Sequence, residues 1–404
     1  VVLVLVGTTA FLVEKAMMAT AREARATTFS ELCASLPAWA KLLSECSQIV
    51  WGFTLVGLYT QFVYGFINKQ ILDDRFAYSG FNALPLYACV GAAVFMATTP
   101  TNFSGTVAKI LTKINLSATW IVIFLAIFKG CQRIATVPIE ERVKKVLLFD
   151  SSKLFDVVVL IAGSMLQVPS VPQLNFEIIP EKRERAGWVV TGTVAAIQAV
   201  IFCAVGLLGY FALGDSIGSD GDVFKAYAEK AQLENREDIV VTVIQACVAV
   251  LMYLSTPLVS LPAKSQLWAL IGECRSLEAN CRFAEAPLGA RIGINLAMTV
   301  FGTAVPMFLG PEKFMVLLTI VAGVAANWLN LFLPSFVIFL VNVRPSYSRG
   351  GRWRAAAATV TWTFVLASAA VISSGFKIYR IFVPASEVLS TTSTTSITVS
   401  VAPA

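Results

Sequence analysis

The stretch from Lys153 to Ile179 reads KLFDVVVLIAGSMLQVPSVPQLNFEII, an apolar run that is interrupted in its middle. Gly163 weakens a helix at this point, and Pro169 and Pro172 remove the backbone donors of the next turn. In lipid the released backbone groups would cost several kcal/mol each, so they must face protein or a water-filled cavity. We predict a broken membrane helix whose half-helix ends offer N–H groups to an anion and carbonyls to a cation. A proline kink with a purely structural effect is the alternative.

Nine other apolar segments accompany the broken stretch. One bilayer crossing needs roughly 20 apolar residues, and the first segment is shorter than that before Glu14. Crossings with short connections fit a chain of 404 residues, so we predict about ten visible spans. The segments are Val1–Val13, Ile49–Ile67, Phe81–Thr99, Asn115–Phe128, Lys153–Pro172, Trp188–Leu213, Ile239–Leu261, Ile292–Leu309, Phe314–Val343 and Ala355–Phe376.

The composition agrees with a membrane protein and excludes several kinds of chemistry. The chain is 57% apolar and 14% charged, with a mean hydropathy of +0.74, whereas soluble domains are about 25% charged. It has no histidine, which excludes a Ser/His/Asp triad, a Cys/His dyad and an HExxH zinc site. No phosphate-binding loop and no CxxC pair occur. We therefore predict a protein that is not an enzyme and holds no metal or cofactor.

Charge in the connections orients the spans. The turn Glu181–Arg185 is basic and the loop Gly214–Asp238 is acidic. With Glu181–Arg185 in the cytoplasm, that side receives the larger number of Lys and Arg residues, as the positive-inside rule favours. The sequons at Asn102 and Asn115 then lie on the cytoplasmic side, where we expect no glycan.

Several motifs in a fixed order carry a family resemblance. The broken stretch is followed by the basic turn Glu181–Arg185 and by a span that ends in GLLGYFALGD at residues 206–215. The stretch Tyr253–Lys264, YLSTPLVSLPAK, has two prolines with four residues between them and then a basic residue. Residues 304–306 (AVP), 318–323 (LTIVAG) and 331–334 (LFLP) follow. Over roughly Ser30 to Val343 this order resembles the sixth to tenth helices of the amino acid/auxin permease family.

The resemblance implies a fold. It implies an all-α polytopic membrane protein built as an inverted-repeat (5+5, LeuT-like) transporter bundle, in which each repeat opens with a broken helix. The broken span is fifth among the visible spans and sixth in the family, so we expect the first helix to precede Val1. Because that helix would carry the other half of the substrate site, we expect residues 1–404 alone to show no transport.

The broken helix and the resemblance together give a substrate site. The half-helix ends are expected to bind the carboxylate and amine of an amino acid. The third helix of similar transporters carries an aromatic lid, which implies a role for Tyr59. Asn327 and Asn330 lie on one helix face, as gating residues or as partners in interhelical hydrogen bonds. The predicted substrate-binding residues are Ala162, Gly163, Ser164, Met165, Gln167, Tyr59 and Asn327.

Three other polar residues are candidates for ion coupling. Ser255 and Thr256 precede Pro257, where helix carbonyls are released, and the resemblance implies that such hydroxyls coordinate sodium; the alternative is a bond back to their own helix. Asp156 is the carboxylate that the sequence places clearly within a span, as a proton acceptor or as an interfacial residue at a helix end. Three glycines are predicted to permit close helix packing: Gly52, Gly57 and Gly91.

These features predict a secondary active transporter that moves amino acids by symport with a proton or sodium ion, around the broken helix at 153–179. An amino acid sensor on the same scaffold, without flux, is the alternative. Residues 1–383 form the transmembrane domain and residues 384–404 a Ser/Thr-rich disordered tail. The expected partners are the amino acid substrate and membrane lipid, and no nucleic acid. The sequence does not predict the oligomeric state. The plasma membrane and the vacuolar or lysosomal membrane are the expected locations.

Overall fold

The computed structural model describes residues 2–101, 106–136, 170–178, 180–213, 227, 238–274, 283–345 and 353–382. Within these ranges every regular element is a helix, which confirms the predicted all-α class there. The helices are α1 Val2–Glu23, α2 Phe29–Cys33, α3 Ala38–Phe66, α4 Leu84–Ala97, α5 Thr106–Thr136, α6 Val171–Glu177, α7 Arg183–Leu213, α8 Ile239–Cys274, α9 Leu288–Val321, α10 Leu333–Ile338 and α11 Trp353–Phe382.

Wider π-helical turns extend two of these helices. α3 continues through such a turn at Ile67–Ile71. Helical structure also continues from α9 to Val343, through turns on both sides of α10. Four stretches of the described chain are therefore long and apolar enough to cross a membrane: Ala38–Ile71, Lys109–Gln132, Ile239–Gly272 and Leu288–Val343.

The outer faces of these stretches carry the side chains that lipid requires. Trp120 and Phe124 on α5, and Phe308 on α9, are exposed although they are large and apolar. Such exposure is expected of helices that face hydrocarbon. The count of ten spans stays a prediction, because residues 137–169 and several connections lie outside the described residues.

α3 and α8 form the central helix pair, and they run in opposite directions. Near one end, a Cβ built on Gly52 would lie 2.3 Å from the Cβ of Ala263. Near the other end, Gln70 Nε2 donates to Gln245 Oε1 at 3.0 Å. The two backbones meet closely because Gly52 has no side chain, as the sequence predicts. We call the end where α3 begins and α8 ends the Lys264 end, and the opposite end the Asp238 end.

Close packing at the other two predicted glycines fixes the neighbours of this pair. A Cβ on Gly57 would lie 2.9 Å from the ring of Phe314, and one on Gly91 would lie 2.9 Å from Thr303. These contacts confirm the packing role predicted for Gly52, Gly57 and Gly91. They place α9 and the segment after it against α3, and α4 against α9.

The direction of each helix follows from pairs of contacts. α4 runs opposite to α9, because Phe81, just before α4, packs on Phe308 at 5.9 Å, while Gly91 lies level with Thr303. α5 runs opposite to α8, because Asn115 bonds Ser255 near the middle and Lys129 pairs with Asp238 at the Asp238 end. α5 therefore runs in the direction of α3.

α7 and α1 complete the directions. Gly130 of α5 faces Leu208 of α7, and Ile134 packs against the last residues of α7, so α5 and α7 run the same way. Phe11 of α1 lies against Gly192, and Lys15 lies over the ring of Trp188. Residue numbers therefore increase along α1 as they decrease along α7, so the two helices are antiparallel. Because α7 runs in the direction of α5 and α3, α1 also runs opposite to α3.

The long final stretch is divided at Gly310. Its φ of 72° and ψ of 170° interrupt the helix, and glycine adopts this backbone conformation at little cost. Before the break, Phe301 packs on Phe53, and Pro306 lies near Gly57, so α9 runs with α3.

After Gly310 the chain reverses. Phe314 packs on Gly57, whereas Trp328, further along, donates to the Ser44 hydroxyl at 2.8 Å. Residues 311–343, which we call the return segment, therefore run opposite to α3. The break lies between the predicted segments Ile292–Leu309 and Phe314–Val343.

Candidate functional site

The centre of the site is α8, which carries two prolines inside its length, Pro257 and Pro262. Because proline lacks a backbone N–H, the carbonyls of Tyr253 and Leu258, four residues earlier, lose their helical donors. A membrane helix tolerates this loss only where other groups replace the donor. The carbonyls of Tyr253 and Leu258, near Ser255 and Thr256, are therefore available to a partner other than the proline nitrogens of their own helix.

Tyr59 and Thr256 lie at the same level of the α3–α8 pair. Tyr59 stands seven residues after Gly52, and Thr256 stands seven residues before Ala263, the residue that Gly52 contacts. Seven residues make about two helical turns, so both positions remain on the facing sides of the two helices. Tyr59 is half-buried and Thr256 is fully buried. Two residues that the sequence assigned to different ligands thus share one region.

Hydrogen bonds fix the hydroxyls of Ser255 and Thr256. Asn115 Nδ2 of α5 donates to Ser255 Oγ at 2.8 Å. Thr256 Oγ1 donates to the carbonyl of Met252 at 3.1 Å, the bond to its own helix that was the alternative to an ion role. A hydroxyl oxygen has two acceptor lone pairs. Thr256 Oγ1 donates its bond and keeps both, whereas Ser255 Oγ accepts from Asn115 and keeps one. Both oxygens therefore retain a lone pair for a cation, together with the released carbonyls of α8.

The bond to Ser255 changes the interpretation of Asn115. The sequence predicts an unused sequon on the cytoplasmic side, at the start of the segment Asn115–Phe128, whereas the structure places Asn115 further inside α5, within the candidate span Lys109–Gln132. Its amide is directed to α8 rather than to solvent. Asn115 is thus a structural partner of the predicted ion-coupling hydroxyl, which sequence patterns could not show because the two residues are far apart in the chain.

Lys264 is a buried cation at one end of the site. Its exposed fraction is 0%, and its ammonium donates to the carbonyls of Thr98 at 2.5 Å and Pro100 at 3.1 Å. The ring centroid of Phe283 lies 5.3 Å from the Nζ atom. Among the described carboxylates none pairs with it. The basic residue of the two-proline motif therefore binds the C-terminal carbonyls of α4, where the helix dipole favours a positive charge.

Asn327 lies away from Tyr59. Asn327 is buried and donates to the carbonyl of Gly323 at 2.8 Å. Its neighbour Trp328 bonds Ser44, which lies fifteen residues before Tyr59 on α3, about 22 Å along a helix. The structure therefore places the predicted gating residue near the Lys264 end, and does not bring it together with Tyr59.

Six of the predicted site residues lie outside the described residues. They belong to the broken stretch, of which the structure describes the continuation, Ser170 and α6. α6 packs against α1 and α2. The six residues are Asp156, Ala162, Gly163, Ser164, Met165 and Gln167.

The structure adds a buried carboxylate that the sequence reading missed. Glu45 of α3 is 1% exposed and lies within the candidate span Ala38–Ile71. Hydropathy placed the start of this span at Ile49, because the preceding turns mix polar and apolar residues. Asp156 is therefore not the only carboxylate to consider within a span. The usable signal was Pro37, which occupies the N-cap position of α3 and marks an earlier helix start.

No group of three or more Cys, Asp or Glu side chains that could hold a metal ion occurs among the described residues. The polar groups of the site are instead hydroxyls, amides and backbone carbonyls on α3, α5 and α8. These neutral oxygens suit a small polar ligand or an alkali cation. The site thus fits binding and passage better than bond-making chemistry.

Comparison with known proteins assigns the chain to a class. A search of curated proteins finds no match. A family model described as transmembrane amino acid transporter protein matches residues 3–379, which includes every described helix except the first residue of α1 and the last residues of α11. Its match agrees with the apolar spans and with the resemblance noted from the two-proline motif. The chain therefore belongs to the transmembrane amino acid transporter family, and it is an integral, multi-pass membrane protein of a transporter family rather than an enzyme family.

Proposed function

We propose that this protein is a secondary active transporter that moves amino acids by alternating access, with a proton or sodium ion as the coupling ion. The observation that carries the proposal is the pattern of helix directions. α1, α3, α4 and α5 alternate in direction. α7, α8, α9 and the return segment alternate in the opposite order.

This pattern supports two inverted repeats. Matching α1 with α7, α3 with α8, α4 with α9 and α5 with the return segment pairs each helix with one that runs the other way. Inverted-topology repeats require this relation, and they place the substrate site near the midplane at the interface of the repeats. α3 and α8, which occupy equivalent places, make the central contact that such a pseudo-two-fold axis predicts. One repeat rocking against the other then opens the site alternately to each side.

The broken stretch 153–179 is proposed to bind the amino acid. α5 and α7 run in the same direction, so the end of α5 and the start of α7 lie at opposite ends of the bundle. The connecting sequence contains Gly163, Pro169 and Pro172, which supports a discontinuous helix. In this proposal residues 162–167 bind the carboxylate and amine of the substrate.

Transport itself is tested with the full-length protein in proteoliposomes. We expect uptake of a radiolabelled amino acid that saturates with concentration and exceeds uptake by protein-free vesicles. Equilibrium binding of the same amino acid without flux would indicate the sensor and overturn the transporter. Binding and flux that both fail for a panel of all common amino acids would overturn the substrate class.

Sodium coupling predicts a specific effect at α8. We expect the double variant Ser255→Ala/Thr256→Val to lower sodium-dependent uptake at least tenfold, because it removes two hydroxyl ligands and leaves the released carbonyls. The matched control is Ser368→Ala on α11, whose hydroxyl bonds the Phe364 carbonyl in the same manner. Uptake is measured against external sodium concentration. Uptake that responds neither to the double variant nor to sodium would exclude the sodium version and leave the proton version.

Asn115 gives a smaller, related effect. Asn115→Leu removes the amide that donates to Ser255, so the Ser255 hydroxyl loses its orientation. We expect a several-fold rise in the ion or substrate concentration needed for half-maximal uptake, with little change in the maximal rate. Asn115→Gln, with an amide one methylene further out, is the comparison. Unchanged half-maximal concentrations in both variants would show that Asn115 only packs α5 against α8.

A further inference from the structure

Glu45 is a buried carboxylate for which the proposed function has not yet given a role. Among the buried residues that the structure describes, Glu45 is the only one with an acidic side chain. The exposed fraction of this side chain is 2%. Ser30 Oγ of α2 donates to Glu45 Oε1 at 3.0 Å, and Lys41 Nζ lies 3.9 Å from the same oxygen. An ionisable group at membrane depth is costly, and it marks an ion or proton pathway by default.

Gln48 extends the polar neighbourhood of Glu45 by one helical turn towards the middle of the bundle. Both residues lie at helical spacing from Gly52, on the face of α3 that meets α8. Gln48 is 3% exposed, and its Oε1 atom has no hydrogen-bond partner among the described residues. A buried amide oxygen without a partner costs about 1–3 kcal/mol, and buried water normally supplies the missing bond. Water beside Gln48 would lie one helical turn from Glu45, within the buried part of α3.

The cover over Glu45 contacts the proposed substrate segment. α2 is a single short helix whose Phe29, Leu32 and Cys33 are buried. It packs against α3 and α8 on one side and against α6, the continuation of the broken stretch, on another. A movement of α6 that accompanies substrate binding therefore reaches the hydroxyl that holds the Glu45 carboxylate.

Among the described residues, titratable groups near Glu45 lie on α2, α3, α6 and α8, and the exposed Glu31 of α2 is one of them. Lys41 comes from α3 itself, and α2 brings Cys33, whose thiol has its pKa raised by burial and then by the negative charge of Glu45. α8 brings Lys264, whose ammonium is held by the carbonyls of α4. α6 carries Glu177 at its end, and the part of the return segment next to the start of α3 contains no titratable residue.

We propose that Glu45 is the group that binds the coupling proton, an inference that rests on the proposed transport function. The carboxylate takes one proton from water beside Gln48, and it becomes a neutral carboxylic acid. When α2 leaves α3, the acid releases the proton to water at the Lys264 end. One proton then crosses with each substrate molecule, and no histidine is required.

The test separates exchange from accumulation. Glu45→Gln keeps the size of the side chain and cannot bind or release a proton. In proteoliposomes that are acidic outside and alkaline inside, we expect the wild-type protein to accumulate the labelled amino acid. We expect accumulation by Glu45→Gln to be at least tenfold lower. Exchange of labelled for unlabelled amino acid without a gradient is expected to persist in Glu45→Gln and to become independent of pH.

The control is Glu31→Gln. Glu31 lies on α2 itself, is exposed, and bonds Thr27, so it shares the neighbourhood but not the burial. We expect it to accumulate substrate as the wild type does. Accumulation by Glu45→Gln equal to that of the wild type would overturn the role of Glu45, and so would wild-type accumulation that ignores the proton gradient. Absence of both exchange and accumulation in the wild type would instead overturn transport itself.

Discussion

Gly52→Ala is expected to separate α3 from α8 and to destabilise the protein more than the same change at any other described glycine. The added Cβ would lie 2.3 Å from the Cβ of Ala263, and 3.4 Å from the carbonyl of Val259. The first distance is far inside van der Waals contact, and neither atom lies on a flexible side chain. The two helices must therefore move apart along the central pair, at a cost of about 1–3 kcal/mol.

A second change tests whether this contact is the cause. Ala263→Gly removes the atom that the new Cβ meets, and the remaining neighbours of a Cβ on Gly52 lie at 3.4 and 3.7 Å. We expect Gly52→Ala/Ala263→Gly to recover most of the lost thermal stability of the detergent-solubilised protein. Gly65→Ala on the same helix is the control, because a Cβ there meets nothing within 4 Å. Gly52→Ala as stable as Gly65→Ala would contradict this account of the helix pair.

The fold was predictable where it depends on local composition. Apolar runs identified α5, α8 and the two halves of the final stretch, and the turn at Gly310 lies between two predicted segments. Helix starts were less predictable. α3 begins at Ala38, well before the apolar run at Ile49–Ile67, because its first turns pack polar residues such as Glu45 and Gln48 against other helices instead of lipid. A hydropathy average identifies a span by its apolar, lipid-facing side chains, and it misses helical turns whose polar side chains pack against other helices.

The candidate site was predictable only where one helix contains the whole signal. Ser255 and Thr256 stand beside a proline, and that pattern is visible in the sequence. Asn115 bonds Ser255 from a different helix, and no periodicity links two residues so far apart. The level shared by Tyr59 and Thr256 likewise depends on the register of α3 and α8, which Gly52 and Ala263 set in three dimensions.

The role of Lys264 could not be predicted from the motif that contains it. The sequence contains a basic residue after the second proline of α8, but nothing in it names the carbonyls of Thr98 and Pro100 as partners. The structure makes this residue the connection between α8 and the end of α4. α4 and α8 both end at the Lys264 end, and the connection holds these two helices together there.

Lys264→Ala is accordingly expected to have the second large effect, a loss of about 3 kcal/mol or more of stability together with most transport. The change empties a fully buried volume, removes the contact with Phe283 and leaves two carbonyls without their ammonium donor. Lys264→Met keeps most of the packed stem and also removes the cost of burying a charge, so its loss should be smaller. Lys313→Ala, at an exposed position near the start of the return segment, controls for removal of a positive charge. Thermal stability and initial uptake rate are measured for all three, and Lys264→Ala indistinguishable from Lys313→Ala would show that the buried ammonium does not hold α4 to α8.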